Sequence, residues 1–167
     1  CDKSNVLRSY AFFRRVFDDV AKDYPDVEAE HVLADAIMVH MVKRPDHFDV
    51  IVTENMFGDI ISDLGAVSVG SMGMSPSAEL GDDQAAHGSA PDIAGQGIAN
   101  PIGTMLSGAM MLKWLGERKA DAALMEASQR IDRAVERVMR EGKALPRDVG
   151  GQAGTAEITE AVCRALG

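Results

Sequence analysis

Two aspartates stand four residues apart in the stretch NMFGDIISDLGA, residues 55–66. At 100° per residue, a helix places Asp59 and Asp63 side by side at the edge of an apolar arc. The residues of that arc are Met56, Phe57, Ile60, Ile61 and Leu64. Like charges at this spacing destabilise an isolated helix by roughly 0.2–0.5 kcal/mol, unless a positive charge lies between them. The pair is therefore a candidate cation site, although an arbitrary pair of helical aspartates is more often a solvated acidic edge.

Asp35 is a third candidate ligand. It begins a predicted helix directly after a predicted strand, where α/β folds commonly present side chains to a cleft. Three carboxylates suit a hard divalent ion such as Mg²⁺ or Mn²⁺, whereas zinc prefers Cys or His at short spacing. His31, His40 and His47 do not form such a set and are interpreted as surface or boundary residues. Asp35 on its own is equally compatible with a helix cap.

Lys3 and Asn5 place an ammonium group and an amide near the predicted start of the first helix. A lysine beside a cation can have its pKa lowered far enough to exchange protons near neutrality. Without further residues, the two indicate no particular chemistry.

A glycine-rich loop, HGSAPDIAGQGIANP, spans residues 87–101. Its glycines allow close approach of the backbone to a ligand, and Asn100 followed by Pro101 is typical of a helix N-cap and first helical position. The loop lacks the third glycine and the preceding strand of the GxGxxG fingerprint. A nucleotide loop with Asp92 accepting from ribose hydroxyls and a structural glycine-rich corner explain the spacing about equally well.

The elements that must position these residues alternate between helix and strand. The helical periodicity predicts helices over residues 4–24, 35–44, 55–66, about 102–117, 121–141 and at the C-terminus. Strand-like segments lie at residues 26–34 and 48–55. The order helix, strand, helix, strand, helix predicts an α/β arrangement of layers.

Composition narrows the class of protein. With 167 residues, 46% of them hydrophobic and 26% charged, the chain is predicted to be globular. The net charge of −9 argues against a nucleic-acid or anionic-membrane partner, and no apolar run is long enough to span a membrane. Two cysteines, Cys1 and Cys163, are too few for a disulfide framework and predict a reducing, cytoplasmic location. The first residue is Cys rather than Met, which predicts a preceding segment.

The stretches DKSNVL, LADAI, VTENMFGDIISDLGA, HGSAPDIAGQGIANP and DVGGQAGT follow one another in this order. Together they resemble the β-decarboxylating dehydrogenases, the isocitrate and 3-isopropylmalate dehydrogenase family. The resemblance covers essentially the whole chain. It implies an α/β fold of isopropylmalate dehydrogenase-like sheet and helix layers, incomplete because the chain is the C-terminal half. Residues 1–68 would belong to the substrate, metal and dimerisation domain, and residues 69–167 to the dinucleotide-binding domain.

The resemblance also implies a role for each site residue. Lys3 matches the catalytic lysine that moves the substrate hydroxyl and enol protons, and Asn5 matches an asparagine near the nicotinamide. The residues that match the Mg²⁺- or Mn²⁺-binding aspartates are Asp35, Asp59 and Asp63. The residues that match the adenosine-binding loop of NAD are His87, Gly88, Ser89, Ala90, Asp92 and Asn100. In the family, a lysine and an aspartate, here Lys3 and Asp35, reach into the neighbouring subunit's site, which implies a homodimer.

The implied reaction is the oxidative decarboxylation of a 2-hydroxy dicarboxylic acid by NAD, with the metal as a Lewis acid in both steps. DKSNVL resembles the 3-isopropylmalate dehydrogenases of leucine biosynthesis more than the isocitrate dehydrogenases, with Val6 where an apolar substrate branch would pack. Isocitrate, homoisocitrate, tartrate and malate are alternative substrates. Asp92 predicts NAD rather than NADP, because a carboxylate repels the 2′-phosphate.

The resemblance leaves out half of the family's length. The absent half carries the arginines that grip the substrate carboxylates and a catalytic tyrosine, so the 167 residues alone are expected to be inactive. GDDQAAHGSAPD is also shorter before His87 than in relatives, which affects the seating of the cofactor loop. Two alternatives remain: an inactive fragment or partner subunit of the same fold that only binds and assembles, and an unrelated small metal-binding α/β protein.

Overall fold

The computed structural model describes residues 1–78 and 91–167. These residues form two compact units, Cys1–Ser68 and Val69–Gly167. Both units consist mainly of α-helices. Within the described ranges, short 3₁₀ turns lie at Pro45–His47, Met72–Met74, Pro91–Ile93 and Arg147–Val149. None of the described helices is long and apolar enough to cross a membrane.

The first unit contains the helices α1 (Arg8–Ala21), α2 (Ala34–Lys43) and α3 (Asn55–Ser68). The predicted second and third helices are confirmed, with ends within a few residues of the predicted ones. The buried apolar residues of this unit are Tyr10, Ala34, Ile37, Ile61 and Ala66. Helices α2 and α3 pack against each other.

The predicted start of the first helix at Ser4 is wrong. Ser4 lies in a turn in which the Lys3 carbonyl accepts from the amides of Val6 and Leu7, at 3.0 and 3.1 Å. The amide of Ser4 itself donates to Asp2 Oδ1 at 2.8 Å. Because Leu7 is extended, with φ −115° and ψ 127°, the helix begins only at Arg8.

The predicted apolar arc of α3 is only partly buried. Ile61 is buried and Phe57 is half-buried, but Met56 and Ile60 are 53% and 48% exposed. Within its unit, α3 packs chiefly against α2, so only one side of the helix is covered. The sequence pattern identified apolar positions correctly, but a second apolar side of α3 remains accessible in the single chain.

The predicted strands at residues 26–34 and 48–55 do not form a sheet in the described residues, and the predicted α/β layering is not confirmed. A single parallel bridge joins Asp2 to Leu33. On the other side, the backbone nitrogen of Cys1 donates to the Val52 carbonyl at 2.6 Å. Three chain segments therefore lie side by side at Cys1 and Asp2, but the hydrogen bonds do not continue into the ladder that defines a strand.

The second unit contains α4 (Ile102–Lys119), α5 (Ala122–Glu141) and α6 (Thr155–Leu166), as the periodicity predicts. Helix α5 packs against both α4 and α6. The core of the unit comprises Ile102, Ala134, Val135, Val138, Ala144, Ala153, Ile158 and Val162. Local chemistry fixes both ends of α5: the Asp121 side chain accepts from the amides of Ala123 and Leu124, and Gly142 ends the helix at φ +69°.

Candidate functional site

Lys3 and Asp35 form an ion pair in the first unit. Lys3 Nζ donates to Asp35 Oδ1 at 2.7 Å. The Asp2 carbonyl accepts from the Ala34 amide at 2.9 Å, which brings the residues that precede Lys3 and Asp35 together at the start of α2. The hydrogen bond from Lys3 is the main cause that lowers the pKa of Asp35. Asp35 is therefore a carboxylate at neutral pH and faces solvent, because 68% of its side chain is exposed.

Asp2, a residue that the sequence analysis missed, holds the segment that carries Lys3. Its side chain is buried and accepts from Arg14 Nε at 2.8 Å and Arg14 Nη2 at 2.9 Å. Burial raises the pKa of Asp2, but the hydrogen bonds from Arg14 and Ser4 together outweigh it, so the pKa is about 2. In the sequence, this ion pair is indicated by an acidic residue beside Lys3 and an arginine on the next helix.

Glu54 caps the helix that carries Asp59 and Asp63, and the sequence analysis missed this residue too. Its Oε2 accepts from the Met56 amide and its Oε1 from the Phe57 amide, both at 3.0 Å. The nearby Tyr10 hydroxyl is the main cause that lowers the pKa of Glu54, and the Glu54 carboxylate raises the pKa of Tyr10 to about 12. An acidic residue directly before the first turn of a helix was the signal in the sequence.

Asp59 and Asp63 are exposed on α3. Within the described part of the chain, neither carboxylate has a hydrogen-bond or ion-pair partner. Carboxylates without protein partners fit the oxygen preference of Mg²⁺ and Mn²⁺. However, no three His, Cys, Asp or Glu side chains among residues 1–78 and 91–167 are grouped to hold a metal ion. The three aspartates, including Asp35, therefore do not form a complete site within one chain, and their shared ion remains a prediction.

The predicted nucleotide loop is described only in part, within the second unit. His87, Gly88, Ser89 and Ala90 lie outside the described residues. Asp92 is exposed in the 3₁₀ turn, and its carbonyl accepts from Gln96 Nε2 at 3.0 Å. Asn5, from the first unit, is exposed in its turn.

Asn100 caps α4, as predicted. Its Oδ1 accepts from the Ile102 amide at 3.0 Å, and the Pro101 carbonyl accepts from the Met105 amide at 3.0 Å. These two contacts fix the point at which the glycine-rich loop becomes a helix. They show the capping role of Asn100, whereas its contact with adenosine stays a prediction.

Residues of the stretch DVGGQAGT bind the part of the glycine-rich loop that the structure describes. Asp148 accepts from Asn100 Nδ2 at 3.1 and 3.3 Å and also from the Ser71 hydroxyl. Thr155 Oγ1 donates to the Ala99 carbonyl at 2.6 Å, and the Thr155 amide donates to the Gly97 carbonyl at 2.9 Å. This stretch contributes to the family resemblance, but its residues predicted no role of their own. Because these contacts join residues 48 to 77 positions apart, no local pattern predicted them.

Gly73 allows this network to close. A Cβ at this position would lie 2.5 Å from Asp148 Oδ2 and 2.8 Å from Asn100 Cβ, too close for either atom to remain in place. The loop itself needs Gly97, whose φ of +66° is unfavourable for residues with a side chain. Both glycines therefore serve the geometry around Asn100.

Similarity to known proteins agrees with this arrangement. The chain belongs to the isocitrate/isopropylmalate dehydrogenase family, whose sequence model matches residues 1–162. It is 48% identical over 170 residues to 3-isopropylmalate dehydrogenase of Zymomonas mobilis, covering 99% of this chain and 47% of that protein. It is 47% identical over 169 residues to isocitrate/homoisocitrate dehydrogenase of Thermus thermophilus, covering 98% of this chain and 48% of that protein.

Solved structures show the same fold. The isocitrate dehydrogenase of Methylococcus capsulatus aligns with a TM-score of 0.88 at 40% identity, covering 98% of this chain and 48% of the other. The β-decarboxylating dehydrogenase of Thermococcus kodakarensis aligns with a TM-score of 0.80 at 40% identity, covering 99% of this chain and 48% of the other. The chain thus spans about half the length of these relatives.

Proposed function

We propose that the full-length protein carrying this chain uses NAD and Mg²⁺ or Mn²⁺ to oxidise and decarboxylate a 2-hydroxy dicarboxylic acid in the cytoplasm. The observation that carries the proposal is the Lys3–Asp35 ion pair in the same unit as Asp59 and Asp63, whose carboxylates have no partner among residues 1–78 and 91–167. The first substrate proposed is 3-isopropylmalate, for leucine biosynthesis, supported by the name of the Zymomonas relative. Isocitrate and homoisocitrate follow, supported by the name of the Thermus relative.

Lys3 is proposed to exchange protons with the substrate. Its side chain is 24% exposed, so the ammonium is accessible while Asp35 fixes its position. Asp35, Asp59 and Asp63 would hold the metal ion. When bound, the ion supplies Lewis-acid stabilisation of the negative charge that develops on the substrate oxygen. In the overall reaction, the substrate hydroxyl loses its proton and the carbon that bears it passes a hydride to NAD. The bond between the adjacent carbon and its carboxylate then breaks to release CO₂, and that adjacent carbon takes up a proton.

A homodimer is proposed to complete the metal site. Since the three aspartates do not group within one chain, Asp35 of one copy would meet Asp59 and Asp63 of a second copy. Helices α2 and α3 support this arrangement, because they carry apolar side chains that are at least one-third exposed. These residues are Met38, Val39, Val42, Met56, Ile60 and Val67. Burying them between two copies would be favourable, at about 25 cal/mol per Å² of apolar surface.

NAD is proposed to bind at the glycine-rich loop. The predicted contacts are His87, Gly88, Ser89, Ala90, Asp92 and Asn100, with Asn5 near the nicotinamide. The cap at Asn100 and the exposed Asp92 support this assignment, because they leave a fixed loop end beside an acceptor for ribose hydroxyls. No basic residue occurs between His87 and Gly97, which favours NAD over NADP.

A second candidate function is a partner subunit that binds and assembles without catalysis. The half-length match to the relatives favours it for the 167 residues alone. Metal binding and turnover separate the two functions, because an assembling subunit requires neither.

Thermal melting in MnCl₂ tests the proposed metal site. Ligand binding to the native state raises its stability with ligand concentration, so Mn²⁺ should raise the melting temperature of the full-length protein. Asp59→Asn should reduce this rise, whereas Asp26→Asn, at an exposed loop position, should not. An equal response to Mn²⁺ of the parent protein and Asp59→Asn, both folded, would contradict the proposal.

A further inference from the structure

A cavity of about 310 Å³ lies in the second unit, between the end of α5 and helix α6. Its apolar lining includes Val138 and Ala144, which are buried, and Ala161, which is half-buried. The charged residues around this lining are all exposed: Arg137, Glu141, Lys143, Glu157 and Arg164. The residues that line the cavity belong neither to the glycine-rich loop nor to the Lys3–Asp35 pair, so the cavity is separate from the site described above.

Helix α6 places opposite charges at two ends of the cavity. Glu157 and Arg164 are seven residues apart in α6, which corresponds to nearly two full turns and places them on one face of the helix. At a rise of 1.5 Å per residue, the two backbone positions are separated by about 10 Å along the helix axis. Ala161 lies between them on the same face. The α6 side of the cavity therefore has a carboxylate, an apolar residue and a guanidinium in a row.

Both charged groups of α6 are available to a ligand. Glu157 has no hydrogen-bond or ion-pair partner among the described residues. Arg164 Nη1 donates to Glu160 Oε2 at 3.4 Å, and 70% of the Arg164 side chain is exposed. An exposed ion pair of this kind contributes little to stability, because water screens it. Since a guanidinium has five N–H donors, Arg164 can bind a second carboxylate without losing Glu160.

The remaining charges decide which ligand suits the cavity. The Glu141 carboxylate already has two cations near it, with Arg137 Nε at 3.9 Å and Lys143 Nζ at 3.3 Å. Glu157 is therefore the carboxylate that still lacks a positive partner. A simple anion would leave Glu157 unpaired, and a simple cation would meet three basic side chains. A molecule that carries an ammonium at one end and a carboxylate at the other satisfies both ends of the cavity.

We propose that the cavity between α5 and α6 binds a short aliphatic amino acid whose ammonium and carboxylate lie at opposite ends of the molecule. The ammonium binds Glu157, and the carboxylate binds Arg164, with Arg137 of α5 as a second positive charge. The carbon chain lies along Val138 and Ala161. The volume of about 310 Å³ falls at the lower end of the range for small-molecule sites, roughly 300–1,000 Å³, which suits a ligand of this size.

Isothermal titration calorimetry of the full-length protein with 6-aminohexanoate tests the proposal. Hexanoate lacks the ammonium and hexylamine lacks the carboxylate, so each should bind about threefold to fivefold more weakly, as expected for the loss of one partly exposed charge pair. L-leucine carries both charges on adjacent carbons, cannot reach both ends of the cavity, and should also bind more weakly than 6-aminohexanoate.

Substitutions assign the binding to the cavity. Glu157→Gln and Arg164→Gln should each raise the Kd for 6-aminohexanoate by about threefold to fivefold. The matched controls are Glu126→Gln and Arg133→Gln, at exposed positions of α5 that do not line the cavity, and they should leave the Kd unchanged. Circular dichroism establishes that each variant is folded at the titration temperature.

Three results would overturn the proposal. The first is the absence of saturable binding of 6-aminohexanoate by the parent protein. The second is hexanoate, hexylamine or L-leucine binding as tightly as 6-aminohexanoate, because the two separated charges would then not be recognised together. The third is an unchanged Kd in folded Glu157→Gln and Arg164→Gln, since the ligand would then bind elsewhere.

Discussion

Asn100 and Asp148 are joined through the amide of one and the carboxylate of the other, with Asn100 Nδ2 3.1 Å from Asp148 Oδ2 and 3.3 Å from Asp148 Oδ1. Asn100 Oδ1 caps α4 by accepting a hydrogen bond from the backbone amide of Ile102. One side chain therefore connects the end of the glycine-rich loop, the start of α4 and the turn Arg147–Val149.

Asp148→Ala should loosen this connection. It leaves Asn100 Nδ2 and the Ser71 hydroxyl without their acceptor, and we expect a loss of about 1 kcal/mol in the free energy of unfolding, the usual net value of such hydrogen bonds. Urea unfolding measures this loss. Asp132→Ala, at an exposed position of α5, is the control and should change stability by less than about 0.5 kcal/mol. Equal effects of the two substitutions would show that the Asn100–Asp148 contact contributes nothing.

The ion pair between the buried Asp2 carboxylate and the partly exposed Arg14 predicts a defined response to acid. Because the pKa of Asp2 is about 2 in the folded protein and 3.8 ordinarily, its ionised form stabilises the fold fully above about pH 4. This contribution, about 2 kcal/mol, is lost as the pH falls from about 4 through 2. Asp2→Asn should thus lower the free energy of unfolding at pH 7, and the difference from the parent protein should shrink below pH 4.

Denaturant unfolding of both proteins at pH 7, 5, 4 and 3 measures this difference, with the exposed Asp26→Asn as the control. A difference between the parent protein and Asp2→Asn that stays constant over the whole range would mean that the charge of Asp2 does not stabilise the fold.

Asp92 is expected to determine the preference for NAD. Its carboxylate faces solvent and would repel the 2′-phosphate of NADP. Replacing Asp92 with Lys and Ile93 with Tyr in the full-length protein should shift the ratio of kcat/KM values toward NADP. Steady-state kinetics with both cofactors measures the ratio. Equal use of NAD and NADP by the protein without these substitutions would refute the assignment.

Helix positions were predictable because their causes are local. The apolar periodicity of α4 and α5 and the cap at Asn100 depend on residues within one or two turns, and each prediction is confirmed. The start of α1 was wrong for a related reason. A serine near a helix start predicts a cap, but at Ser4 a bond between its backbone amide and Asp2 and the extended Leu7 prevent it.

The contacts that hold the candidate site were not predictable from periodicity because they join residues 12 to 48 positions apart. Asp2 binds Arg14 of α1, Tyr10 of the same helix contacts Phe57 of α3, and Asp148 binds Asn100. No periodicity encodes such pairs. The predicted strands were wrong for the same reason, since a strand is defined by hydrogen bonds to neighbouring segments rather than by its own residues.

The most direct test of the central claim is the stoichiometry of NADH and CO₂ formed by the full-length protein with MnCl₂, NAD and 3-isopropylmalate, isocitrate or homoisocitrate. We expect turnover with at least one of these acids, one CO₂ released for each NADH formed, no turnover after chelation of the metal, and loss of activity in Lys3→Ala. NADH formed without CO₂, or no turnover with any of the three acids by a folded protein that binds Mn²⁺ and NAD, would contradict a metal-dependent oxidative decarboxylation.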